Sequence, residues 1–107
     1  MDSRDVEICR VIGQELYNAS PDGAVKIIMR AELSLEEDAC RFEYDYLNNS
    51  GVVGWFLPKN GMTDQKIREL LVQHRDFFVS QSQPPWKSCE FTLDVEKGKF
   101  SIQLSYD

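Results

Sequence analysis

Apolar side chains recur at helical spacing over residues 4–19. Ile8, Cys9, Ile12, Leu16 and Ala19 share one face, with Asp5 at its start. Gly13 interrupts the stretch, weakening the helix or letting another backbone come close. The run Ser20-Pro21-Asp22-Gly23 is turn chemistry that ends it. From Ala24 to Leu33 the period changes to two. Val25, Ile27, Met29, Ala31 and Leu33 alternate with Lys26, Ile28, Arg30 and Glu32, the mark of a half-buried strand. Beyond the charged connection Glu36-Glu37-Asp38, Cys40, Phe42, Tyr44 and Tyr46 alternate with Arg41, Glu43 and Asp45 in a second strand. Asn48-Asn49-Ser50-Gly51 reads as a hairpin loop, because Asn and Gly tolerate positive φ. A third, mostly apolar strand spans Val52–Leu57 and stops at Pro58-Lys59-Asn60-Gly61. Thr63 then offers an N-cap for a second helix, with Asp64 in its first turn. Ile67, Leu70, Leu71, His74, Phe77 and Phe78 make the stripe of that helix, and Ser82-Gln83-Pro84-Pro85 breaks it. After Trp86, Cys89, Phe91, Leu93 and Val95 alternate with Glu90, Thr92 and Asp94. Glu96-Lys97-Gly98-Lys99 turns the chain into a last strand carrying Phe100, Ile102, Leu104 and Tyr106.

The predicted order is α-β-β-β-α-β-β in one α+β domain covering residues 1–107. Short loops between neighbouring strands imply antiparallel pairing. The simplest architecture is a single antiparallel five-stranded sheet with both helices on one face and the other face open to water. The third strand fits this scheme poorly. Val53, Trp55 and Leu57 point one way and Val52 and Phe56 the other, so either Trp55 or Phe56 is expected to reach the open face or its rim.

Composition narrows the function classes. The chain has 107 residues, 42% hydrophobic and 28% charged, ordinary globular usage for one domain. Its net charge of −6 repels phosphates, which disfavours nucleic acid as a partner and favours a basic protein. The three cysteines, Cys9, Cys40 and Cys89, are odd in number and fall at apolar positions, as expected of buried free thiols in a reducing compartment. No apolar run approaches the roughly 20 residues that cross a bilayer, and no signal peptide is visible, so a cytoplasmic location is expected.

No catalytic constellation emerges. His74 is the sole histidine and lies in a helix stripe, without a recognisable nucleophile beside it. One histidine and three scattered cysteines do not make a metal set, and Glu36-Glu37-Asp38 lacks EF-hand spacing. P-loop and dinucleotide fingerprints are missing, so no cofactor is expected. The pairs Glu43/Asp45 and Glu90/Asp94 each share a strand face, but nothing in the pattern buries them to tune them for acid–base work. The expectation is a binding protein, not an enzyme.

The C-terminal segment carries a family resemblance. Pro85-Trp86, then Glu90-Phe91-Thr92-Leu93, then Gly98-Lys99-Phe100 and a terminal Tyr106-Asp107 resemble the ending of YezG-like immunity proteins, a family of bacterial antitoxins. The helix–meander–helix order upstream is similar in layout. The resemblance implies a protein that binds and neutralises a cognate toxin, often a nuclease domain delivered by neighbouring cells. Trp86, Phe91, Phe100 and Tyr106 read as fold determinants within it. A −6 chain suits a basic nuclease partner on charge alone. The expected contact surface joins Glu36, Glu37, Asp38, Glu43 and Asp45 to an aromatic anchor, Trp55 or Phe56. The competing reading is a small adaptor or assembly subunit with no toxin partner.

Overall fold

A computed structural model describes residues 4–34, 36, 39–58 and 61–106. Its elements follow the predicted order: α1 (Arg4–Ala19), β1 (Ala24–Leu33), β2 (Cys40–Asn48), β3 (Val53–Trp55), α2 (Gly61–Ser80), β4 (Ser88–Asp94) and β5 (Lys99–Ser105). The five strands form one antiparallel sheet in the order β3-β2-β1-β4-β5. The first and last pairs are hairpin neighbours. α2 carries the chain from the β3 edge to the far side of β1, where β4 adds.

One sheet face carries the core. Across the strands, Tyr44, Met29, Phe91 and Ile102 lie in one row, and Tyr46, Ile27, Leu93 and Phe100 in the next. Both helices sit on this face. α1 delivers Ile8, Cys9, Ile12 and Leu16 to the core, and α2 delivers Ile67, Leu70 and Leu71. A Cβ at Gly13 would stand 3.6 Å from Leu93 Cδ1 and 3.8 Å from Phe91 Cζ, ordinary contact distances, so α1 packs against β4 here with room for a methyl group. The glycine costs the helix interior a little stability.

Two boundaries differ from the sequence reading. β3 keeps only three residues of the expected Val52–Leu57 strand, although Phe56 N still donates to Tyr44 O at 3.0 Å and its side chain alternates onto the core face. α2 begins at Gly61, so Thr63 lies inside the helix and is not its cap. Asp64 instead serves tertiary structure: it accepts a hydrogen bond from Tyr44 Oη at 2.5 Å, tying the first turn of α2 to β2. Burial, and then that bond, push the Tyr44 phenol well above its ordinary pKa.

The other end of α2 is tied by Arg75. Its guanidinium donates to the carbonyls of Leu33 (3.1 Å), Ser34 (2.7 Å) and Trp86 (3.3 Å) and lies over the Trp86 ring. It therefore closes the chain ends where β1 finishes and β4 begins. Trp86, fully buried, plugs the core beneath it.

Candidate functional site

The open face is set by strand register. Trp55, Asp45, Ile28, Thr92 and Ser101 form one row across all five strands. Glu43, Arg30, Glu90 and Gln103 form the next. Register places Arg30 directly between two acidic neighbours, Glu43 and Glu90, with Asp45 diagonal to it. Its guanidinium reaches Asp45 at 2.6 Å and Glu90 at 3.2 Å. The bond to Asp45, then the charges of both carboxylates, hold the Arg30 pKa above its ordinary value. Exposed ion pairs of this kind add little stability. They do organise the face: three carboxylates surround one guanidinium, leaving the centre negative and Asp45 already engaged.

The third-strand ambiguity resolves cleanly. Trp55 stands on the open face, 73% exposed and directly opposite Asp45. Val53, on the same face one pair along, is 70% exposed, and Leu57 follows at 68%. Phe56 is only 8% exposed and packs against Tyr44 and Tyr46 at 5.5 and 6.0 Å between ring centroids. As a candidate contact residue Phe56 is therefore withdrawn: its ring belongs to the aromatic core under β2. Of the acidic residues, Glu43 is exposed on the face and Asp45 is half-buried against Arg30. Glu36 is exposed in the β1–β2 connection. Glu37 and Asp38 lie outside the described residues.

Arg30, Arg41, Glu43, Glu90 and Gln103 line a shallow concavity of about 400 Å³ where the twisted sheet curves. It is open and mixed in charge, a surface for another macromolecule's side chains more than a pocket for a small ligand. Among the described residues, no three His, Cys, Asp or Glu side chains cluster as metal ligands, and no helix is long and apolar enough to cross a membrane. His74 lies away from the open face, fully buried between Phe78 and Trp86. Burial pushes the thiols of Cys9 and Cys40 up to about 11 and that of Cys89 up to about 12, which suppresses their nucleophilic thiolates.

Sequence reasoning missed the extent of the apolar rim. Val53 and Leu57 were expected on one side with Trp55, but their joint exposure depends on β3 being an edge strand that ends early. The Arg30 clamp was legible only as mixed charge, since the β1–β4 register that supplies Glu90 is a pairing between distant segments. No protein-family model matches this chain, and no curated protein matches it significantly.

Proposed function

We propose that this chain is an immunity protein that binds and neutralises a basic toxin domain of the nuclease type, using the β2–β3 end of its open sheet face. The observation that carries the reading is the exposed Trp55 beside Asp45 and Glu43 on a chain of net charge −6. A tryptophan held by an edge strand offers a large, low-entropy anchor. Val53 and Leu57 extend it as an apolar rim. Glu43 and Glu36 lie where they meet the lysines and arginines with which a nuclease holds its phosphate chain. The Arg30 clamp keeps Asp45 from contributing its full charge, so steering falls mainly to Glu43 and the exposed β1–β2 connection. The resemblance of residues 85–107 to YezG-like immunity proteins supports the same class of partner.

The test is genetic and direct. The gene adjacent to this one is expressed alone and together with it. The expected result is toxicity alone, rescue by co-expression, and a stable complex on co-purification. A harmless neighbour, or a toxic one that this chain neither rescues nor binds, overturns the proposal.

A further inference from the structure

The sheet has two edges of different character. The β3 edge is short and borders charged residues. The β5 edge is long and unguarded: from Phe100 to Tyr106 the chain reads Phe-Ser-Ile-Gln-Leu-Ser-Tyr, seven consecutive residues without a charge, a proline or a glycine. No strand pairs with its outer side among the described residues. Natural sheets usually blunt such an edge with lysines, prolines or a bulge, because its unpaired backbone groups are a template for another strand.

We propose that β5 pairs antiparallel with β5 of a second copy, forming a dimer with one continuous sheet of twice the width. The strand is self-complementary about its own midpoint. A twofold axis through Ile102, perpendicular to the sheet, sets Ile102 beside its counterpart, Phe100 beside the second copy's Leu104, and Ser101 beside the second copy's Gln103. Half-buried apolar residues thereby meet on the helix side and exposed polar residues on the open side. Lys99, the only charge on the strand, falls beside Ser105 and never beside itself.

A second feature fits the same operation. Tyr106, just beyond β5, is 42% exposed. The pairing brings it beside Gly98 of the second copy. Gly98 lies at the mouth of a groove of about 490 Å³ between α1 and the β4–β5 hairpin, lined by Gly13, Tyr17, Val95 and Phe100. Gly98 has a φ of +64°, and nothing lies within 4 Å of where its Cβ would stand, so the approach is open. Each copy supplies one tyrosine and one groove, so the contact closes on itself. A charge-free seam is where two −6 chains repel least.

The test uses the chain alone, without toxin, by sedimentation over a concentration series. Wild type should pass from monomer to dimer, more tightly as salt screens the net charge. The double variant Ser101→Lys/Gln103→Lys sets lysines opposite one another across the seam, twice. It should weaken the dimer by about tenfold or more, with an unchanged melt when dilute. The added positive charge relieves overall repulsion, so weakening can only be local to the seam. Tyr106→Ala should also weaken the dimer. A monomer at concentrations approaching millimolar overturns the proposal, as does a dimer that the lysines leave intact or strengthen. Lysine variants that stay monomeric but lose toxin binding, with wild type monomeric too, would make a toxin strand the occupant of this edge. Failure of the functional proposal reads differently, because the dimer is scored before any toxin is added.

Discussion

Trp86 Nε1 donates a hydrogen bond to His74 Nδ1 at 3.1 Å, with both side chains fully buried. The bond assigns the tautomer: Nδ1 accepts, so Nε2 carries the proton. Nε2 has no hydrogen-bond partner, a cost the core tolerates for a satisfied indole. The only histidine of the chain is thus a structural acceptor under a structural tryptophan.

Acid should unfold the protein through this pair. Burial lowers the His74 pKa below its ordinary 6.5, against a smaller opposing pull from Asp5. The unfolded chain takes up a proton near 6.5 that the folded chain refuses, so stability is full above that value and falls as pH drops below it. Protonation would also turn Nδ1 into a donor facing the Trp86 N–H. Denaturant melts from pH 7.5 to 5 should show this loss, and His74→Phe should flatten the slope. The same variant should cost about 1–3 kcal/mol at neutral pH by orphaning the indole N–H. A slope that persists in His74→Phe would assign the acid sensitivity to other groups.

Alkaline pH should destabilise the fold by the opposite linkage. Cys9, Cys40 and Cys89 have folded pKa values raised from 9.0 to about 11, 11 and 12. The thiols remain neutral in the fold while the unfolded chain loses protons from about 9 upward, so stability falls above that pH. At pH 8 a disulfide reagent should label the native thiols slowly and all three quickly after denaturation. Fast native labelling of Cys9 or Cys89 would contradict their burial.

Arg75→Met should cost about 3 kcal/mol or more, because three carbonyls lose a charged donor while the apolar stem is kept. Arg75→Lys should recover only part, since one ammonium cannot reproduce the guanidinium's fork. Thermal melts of the two variants measure the difference; equal melts would show that the charge alone suffices.

Gly54→Ala should loosen the aromatic core under β2. The new Cβ would stand 2.9 Å from Cε1, Cζ and Oη of Tyr46, whose ring rests edge-on against Phe56. Displacing that ring should cost about 1–3 kcal/mol. The variant should also detach β3 and blur Trp55, visible as a shift in its fluorescence. An unchanged melt and emission would mean that Tyr46 has room to move.

Binding kinetics should separate steering from anchoring. Trp55→Ala should leave the melt unchanged and speed dissociation from the toxin. Glu43→Lys should slow association, most at low salt, because such steering is screened over about 10 Å at 0.1 M. Asp45→Lys is a poorer probe, since it also sets a cation against Arg30. Association rates unaffected by Glu43→Lys at every salt concentration would move the contact surface elsewhere.

Local periodicity determined much of this protein. The spacing of Ile8, Ile12 and Leu16 specifies α1, and the alternation through Ile27, Met29 and Ala31 specifies β1, because each element must turn its apolar side to a common core. Trp86 was legible as a fold determinant only through the resemblance of residues 85–107, not through any period. Tertiary structure alone decided which residues meet between distant segments. The β1–β4 register put Glu90 against Arg30, and the crossing of α2 put Arg75 against the carbonyls at 33, 34 and 86. A charged residue inside a helix carries no local sign that backbone acceptors will close around it. The third strand shows the limit most directly. Its two apolar sides left Trp55 and Phe56 equivalent in sequence. Only the β2–β3 register, which sets Trp55 opposite Asp45 and bonds Phe56 N to Tyr44 O, turned Phe56 onto the core beside Tyr44 and Tyr46 and left Trp55 in water.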